Sequence, residues 1–177
     1  DLGGFATLYQ DKMESLKNKY RGLEFEDEMV AYLPFCTFNN NPRAASIDTP
    51  LHAFIPRPHV DHLHPDAVIA IAAAKNSEEI TKELFGGEIG WVPWLRPGFE
   101  LGLMIEAKYN ENPDQKGIIL GSHGLFTWGN TAKESYETTL EIIQKATDYL
   151  AEHAEETPFG GEINPALEEA ERQNIAQ

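Results

Sequence analysis

The sequence predicts a single layered α/β domain, and three observations support that prediction. The chain has 177 residues, a length that is most simply one domain. Several stretches repeat apolar residues at helical spacing, and shorter apolar runs bounded by glycine or proline predict strands between them. Because the predicted helices and strands are interspersed along the chain, we expect a β-sheet covered by helices.

The first half of the chain predicts short helices and one strand. Apolar residues within 26–35 are consistent with a short helix. The Asn-Asn-Asn-Pro run at 39–42 predicts a loop, and Pro50 limits regular structure near the start of 46–54. The elements expected here are helices over 11–20, 26–35 and 67–74, and a strand over 60–64.

The second half predicts more strands and the longest helix. Gly86 and Gly87 should stop the helix that starts at Ser77. Thr131 and Glu134 have the spacing of a capping box at the start of the last helix. We expect helices over 77–85, 99–109 and 131–153, and strands over 89–95, 117–121 and 125–128. The apolar stripe expected on the last helix consists of Leu140, Ile143, Thr147 and Leu150.

The domain is expected to span 1–153, followed by an acidic tail or linker over 154–177. The chain begins at Asp1 without a methionine, so we expect a fragment or a processed product. The formal net charge of −15 argues against nonspecific binding to nucleic acid or to an anionic membrane. The sequence contains no run of about 18 apolar residues, so it predicts no membrane span. The one cysteine, Cys36, fits a reducing cytoplasm.

Three histidines form the most informative pattern. His62 and His64 lie two apart in a predicted strand, so their side chains point to the same face. His123 lies in a predicted turn, where the following Gly124 allows tight turning or the close approach of a ligand. Three protein ligands with an open position are typical of a catalytic zinc-type centre. The pattern therefore favours a metal-dependent enzyme, although a lone histidine is usually structural or exposed.

Asp48 is the candidate acid/base. Taken alone, an aspartate before Thr-Pro is more often a turn or cap residue. In a metal site it could be a fourth ligand, a general base, or both in turn. Neighbouring metal and histidines would lower its pKa, whereas burial would raise it.

The sequence resembles the class II aldolase/adducin domain family over about residues 1–153. Four stretches carry the resemblance: 46–54, 60–67, 94–98 and 121–129. They are most similar to the aldolase part of bifunctional rhamnulose-1-phosphate aldolase/lactaldehyde dehydrogenase proteins. The resemblance implies a central, mostly antiparallel β-sheet flanked by helices and usually assembled as a tetramer, with active sites near subunit boundaries.

The resemblance also implies roles for the site residues. His62, His64 and His123 would be ligands of a divalent metal, usually Zn²⁺, and Asp48 would take the place of a family glutamate that is one methylene longer. The implied reaction is aldol cleavage of a ketose 1-phosphate, with rhamnulose 1-phosphate giving dihydroxyacetone phosphate and lactaldehyde. A fused dehydrogenase half would follow the acidic tail. No glycine-rich dinucleotide fingerprint occurs, so no nicotinamide cofactor is expected in this chain.

One family feature is missing from the sequence. The Gly-Asn-x-Ser loop that binds substrate phosphate in the family is not found, and a truncated N-terminus would explain its absence. Two other functions stay open: a sugar-phosphate epimerase or dehydratase on the same scaffold, and a non-catalytic oligomerisation module like the adducin head. The three histidines argue against the second, because a scaffold has no need of them.

Overall fold

The sheet has four strands, and it is mixed rather than purely antiparallel. The computed structural model describes residues 2–39, 41–155, 157, 160–161 and 164–176. The strands within these ranges are β1 (His59–Leu63), β2 (Ile89–Val92), β3 (Gly117–Leu120) and β4 (Gly124–Gly129). Their order is β1-β4-β3-β2, with β1–β4 and β3–β4 antiparallel and β2–β3 parallel. The predicted α/β class and the mostly antiparallel sheet are confirmed.

The helices cover both faces of this sheet. They are α1 (Gln10–Ser15), α2 (Glu26–Tyr32), α3 (Thr49–Ala53), α4 (Asp66–Ala72), α5 (Ser77–Phe85), α6 (Phe99–Glu111), α7 (Ala132–His153) and α8 (Glu169–Ile175). Most lie close to their predicted positions. Strand β2 is shorter than expected and ends before Pro93, which has no N–H to donate to a sheet. None of the described helices is long and apolar enough to cross a bilayer.

Alternation along the inner strands builds two cores, one on each face. Phe126 and Trp128 of β4 point into a core shared with α3 and α6, whereas Leu125 points into a core shared with α4, α5 and α7. Ile118 and Ile119 of β3 divide between the two cores in the same way. The sheet is therefore the middle of three layers, as expected for an α/β domain.

A third cluster fastens α1 and α2 to the domain. Met13, Met29 and Leu33 pack with Phe54 and Phe99. Glu26 is buried at this contact, and its carboxylate accepts hydrogen bonds from the backbone N–H groups of Phe99 and Glu100. It thereby satisfies donors that the first turn of α6 leaves without helical partners. The contact between Glu26 and Phe99, which lie 73 positions apart in sequence, thus helps to define where α6 begins.

The prediction for α7 is right in extent and only partly right in face: Ile143 and Leu150 of the predicted stripe pack against the core, whereas Leu140 and Thr147 are exposed. Its buried residues are Ser135, Thr139, Ile142 and Ala146, whereas Leu140 is 47 % exposed. The hydroxyl of Thr139 donates to the carbonyl of Ser135 one turn earlier, so a polar side chain can face the sheet without losing hydrogen bonds. The Thr131 hydroxyl caps the helix by accepting from the Glu134 N–H, as predicted.

The acidic stretch after α7 contains the short helix α8, whose residues are exposed. The boundary at 153 and the assignment of 154–177 as a tail or linker stay predictions. Several of its residues lie outside the described ranges.

Candidate metal centre

Three histidine side chains converge at one end of β1. His62 lies in β1, His64 follows its last residue, and His123 lies in the turn that joins β3 to β4. One potential ligand atom from each lies within 4.8 Å of the other two. The ring centroids are 4.6 Å apart for His62 and His64, 5.0 Å for His62 and His123, and 5.1 Å for His64 and His123. The sequence prediction that these side chains share one space is consistent with this geometry.

The His62 ring is held from two sides. Its Nδ1 lies 3.1 Å from the carbonyl oxygen of Leu125, which can only accept, so Nδ1 carries the proton and donates. The ring also stacks on Phe126 with centroids 4.1 Å apart and planes 8° apart. This arrangement fixes the tautomer and leaves Nε2 as the unprotonated atom, as in histidines that bind metal through Nε2.

The buried polar atoms that lack partners fit a cation-binding site. Within the described ranges, three buried side-chain atoms make no hydrogen bond: Asp48 Oδ1, His62 Nε2 and His123 Nδ1. Buried polar groups are normally hydrogen-bonded, so each exception calls for an explanation. All three belong to the predicted site, and a nitrogen lone pair or a carboxylate oxygen is a suitable donor for a divalent ion. The residues present therefore fit the implied metal.

Burial favours the neutral form of two of the three histidines, His62 and His123. Burial, helped by the neighbouring His123 and His64, lowers the pKa of His62 to about 4. Burial also lowers the pKa of His123. These imidazoles are neutral at pH 7, and the neutral form is the one that binds a metal.

Asp48 lies beside the histidines but outside their tight group. It occupies the position before α3, yet its side chain makes no capping hydrogen bond. Its charge partly offsets the lowering of the pKa of His62 and His123 that burial causes. It does not belong to the group of ligand atoms within 4.8 Å. The carboxylate is thus committed neither to a cap nor to the histidine cluster, which leaves both roles, fourth ligand and general base, open to it.

Two residues of the β3–β4 turn shape the site through the backbone. A Cβ on Gly124 would lie 2.5 Å from His64 Cδ2 and 2.7 Å from the Leu63 carbonyl oxygen, so only glycine allows this approach. Ser122 has a φ of 54°, a left-handed conformation that is uncommon outside glycine. Backbone strain of this kind clusters at functional sites. The sequence predicted tight turning or the approach of a ligand at Gly124, whereas the groups that approach it are His64 and the Leu63 backbone; it gave no sign of the Ser122 conformation.

His52 and Asp61 support β1. His52 Nδ1 donates to the Val60 carbonyl oxygen over 3.2 Å, and its ring packs edge-on against Phe126. Asp61 accepts a 2.6 Å hydrogen bond from the buried Ser135 hydroxyl. Nothing in the sequence marked Ser135, because its partner lies 74 residues away.

A groove of about 500 Å³ runs beside His62, between β1 and α7. Tyr136 and Leu140 line it and are 60 % and 47 % exposed.

Comparison with known proteins shows to which family the chain belongs. The chain belongs to the class II aldolase and adducin N-terminal domain family, whose model matches residues 19–150. Class II aldolases depend on a divalent metal, and the histidine cluster could bind one. Members act on phosphorylated sugars and are commonly oligomeric, and the family includes proteins that are not lyases. The family resemblance read from the sequence is confirmed.

Individual relatives agree with this assignment. YuxG, an uncharacterized oxidoreductase of Bacillus subtilis (strain 168), is 40 % identical over 151 residues, or 85 % of this chain; the chain spans only 22 % of that protein's length. The N-terminal class II aldolase domain of a conserved protein from Thermoplasma acidophilum superposes with a TM-score of 0.74 and 29 % identity, covering 85 % of this chain and 68 % of that one. A sugar-phosphate aldolase from Thermotoga maritima shares the fold, with a TM-score of 0.51, 20 % identity, and coverage of 73 % and 60 %.

Proposed function

We propose that this domain catalyses metal-dependent aldol cleavage of a ketose 1-phosphate, with rhamnulose 1-phosphate giving dihydroxyacetone phosphate and lactaldehyde. The observation that supports it most is the set of unpartnered buried atoms on Asp48, His62 and His123, of which the two histidines belong to one tight group of potential ligand atoms. A protein that used this fold only as a scaffold would gain nothing from leaving them unsatisfied, because each costs free energy when buried.

In this proposal His62, His64 and His123 hold a divalent metal, Zn²⁺. A divalent ion held there supplies Lewis-acid stabilisation for the negative charge that the substrate oxygens gain as the carbon–carbon bond breaks. The neutral imidazoles leave the ion its full positive charge. The Leu125 carbonyl and the Phe126 ring keep His62 in place while substrate enters and product leaves.

Asp48 moves the proton. In cleavage its carboxylate takes the proton from the hydroxyl on the carbon that becomes the aldehyde; in synthesis it takes a proton from carbon. Its Oδ1 is buried and unpartnered, so no protein donor competes for the lone pair that accepts this proton. Acid/base help of this kind is worth about 10²–10⁴-fold in rate.

The experiment is a coupled assay of dihydroxyacetone phosphate release from rhamnulose 1-phosphate and other ketose 1-phosphates. We expect His62→Ala and His123→Ala to abolish both cleavage and metal binding, and Asp48→Asn to abolish cleavage while retaining metal. His59→Ala is the matched control, because His59 lies on the same strand and is exposed. Unchanged cleavage in either histidine-ligand variant would exclude the mechanism, and epimerised or dehydrated product would favour the alternative enzymes.

Two proposals concern the longer protein and its assembly. YuxG is named an oxidoreductase and is several times longer than this chain, which supports a dehydrogenase half that would oxidise the lactaldehyde. The exposed Tyr136 and Leu140 beside the site support a homo-oligomer, with a tetramer as the expected state. Light scattering of the purified protein distinguishes a tetramer from a monomer.

A further inference from the structure

A chain of buried hydroxyl groups joins β1 to α7 on the face of the sheet opposite His62. The Ser135 hydroxyl donates to Asp61 Oδ2 over 2.6 Å. The Thr139 hydroxyl donates to the Ser135 carbonyl over 3.0 Å. Because Thr139 Oγ1 has one proton, the Thr127 hydroxyl must be the donor in its 2.5 Å contact with Thr139 Oγ1. Two separate side-chain hydrogen bonds therefore tie α7 to the sheet, Thr139 to Thr127 of β4 and Ser135 to Asp61 of β1.

These hydroxyls are shielded from water. Ser135 and Thr127 are 0 % exposed and Thr139 is 3 % exposed. A buried donor or acceptor that loses its partner costs more than an ordinary hydrogen bond contributes. The Ser135–Asp61 hydrogen bond therefore favours one position of β1 relative to α7, because a shift of β1 would leave the buried Ser135 hydroxyl without its acceptor.

Strand β1 depends on this support because it lies at the edge of the sheet. Among the described strands it pairs only with β4, so backbone hydrogen bonds hold it on one side. Asp61 lies between Val60 and His62 in the strand, and its side chain points away from the histidine site. A small shift of Asp61 would move His62 and His64 with it, since all three share one short piece of backbone.

The contact also favours a carboxylate. Ser135 lies in the first turn of α7, whose start is fixed by the Thr131 cap. The N-terminus of a helix carries partial positive charge and favours a nearby anion. Asparagine at position 61 would keep an oxygen acceptor but lose this charge.

We propose that Asp61 and Ser135 are positioning residues for the metal centre, acting through β1 to set the separation of His62 and His64 from His123. This inference rests on the proposed function, because it assumes that the histidines bind a metal. Neither residue touches the metal or the substrate.

The experiment measures the affinity of the chain for Zn²⁺ and Co²⁺ by competition with a chromophoric chelator, together with the visible absorption of bound Co²⁺, which reports coordination geometry. The variants are D61A, D61N, S135A and the double variant D61A/S135A. The matched control is T81V, which removes a buried hydroxyl from α5 that donates only to the Ser77 carbonyl. Near-ultraviolet circular dichroism checks that each variant is folded.

We expect D61A and S135A each to weaken metal binding about tenfold, at the lower end of the range for residues that support metal ligands from outside the coordination sphere. The Co²⁺ spectrum should change, D61N should be less affected than D61A, and the double variant should be no worse than D61A, because both substitutions break one contact. T81V should bind like the wild type despite a lower unfolding midpoint.

Wild-type affinity and spectrum in D61A and S135A would overturn the inference while leaving the proposed function intact. An equal loss in T81V would overturn it too, since the effect would then be one of general stability. A wild-type chain that binds neither ion would refute the proposed function, and the inference with it.

Discussion

Replacing Gly124 by alanine should separate the histidines that the fold brings together. The new Cβ would lie 2.5 Å from His64 Cδ2 and 2.7 Å from the Leu63 carbonyl oxygen. Carbon atoms in contact normally lie about 3.5–4.0 Å apart, so the overlap with the ring is about 1 Å. The His64 ring can rotate away, but the Leu63 oxygen belongs to the backbone of β1. The end of the strand must therefore move.

The magnitude follows from the cost of overpacking. Inserting one methyl into a filled space costs about 1–3 kcal/mol. If that cost falls on the metal-binding arrangement, the binding constant decreases by roughly 5- to 140-fold, at 1.4 kcal/mol for each factor of ten. We expect the Gly124→Ala chain to stay folded and to bind Zn²⁺ more weakly by this factor.

The assay is Zn²⁺ competition with a chelator, combined with urea unfolding of the metal-free chain. Gly87→Ala is the matched control, because a Cβ at that glycine would meet nothing within 4 Å. If Gly124→Ala bound Zn²⁺ as tightly as the wild type, the close approach of the β3–β4 turn to His64 would not matter for the site. The reasoning about convergence at Gly124 would then be wrong.

Three further predictions concern stability. In the metal-free folded chain the pKa of His62 is about 4, below its ordinary 6.5, so between pH 4 and pH 6.5 the unfolded chain binds more protons than the folded one. The free energy of unfolding should therefore fall as pH decreases from about 6.5 to about 4. His62→Gln should flatten that decline in urea titrations. Glu26→Ala should lower the free energy of unfolding in guanidinium by about 1.5–3 kcal/mol, since it removes the charged acceptor of the Phe99 N–H. A decrease below about 0.5 kcal/mol would show that water replaces the Glu26 carboxylate as that acceptor. Thr131→Ala should lower the free energy of unfolding by about 1 kcal/mol, whereas Thr131→Ser, which keeps the hydroxyl, should hardly change it. Equal decreases in the two variants would exclude a capping role for the hydroxyl.

Local sequence signals predict the bounds of a helix well where residues at its own ends favour its start and its end. Helix α5 runs over the predicted residues because Gly86, with a φ of 61°, ends it in a conformation that other residues rarely adopt. Strand β2 was predicted too long, because its aromatic run obscured the effect of Pro93.

The pattern of apolar residues gave only part of the buried face of α7, namely Ile143 and Leu150. Ser135 and Thr139 face the sheet because their hydroxyls find partners there, and those partners are visible only once the chain is folded. Leu140, the most apolar choice by sequence, is largely exposed. Periodicity identifies a helix reliably, but tertiary hydrogen bonds can decide which side of it is buried.

In the candidate site, too, local sequence signals predict some features, and contacts between distant residues decide the others. The spacing of His62 and His64, with His123 before a glycine, was sufficient to predict that the three side chains meet. The groups that orient them, the Leu125 carbonyl among them, lie far away in sequence and leave no local signal. The metal ligands and the acid/base role of Asp48 stay predictions until metal content and cleavage are measured.

The place of the three histidines in the sheet has a consequence for local unfolding. Two of them belong to the edge strand β1 and its end, whereas His123 belongs to the turn between the inner strands β3 and β4. Edge strands open at lower free energy than central ones, so β1 should exchange its amide hydrogens early in the metal-free chain. An ion bound at a hundred times its Kd raises the free energy of such opening by about 2.7 kcal/mol. Exchange in β1 should then slow by about a hundredfold, while exchange in α8 stays the same.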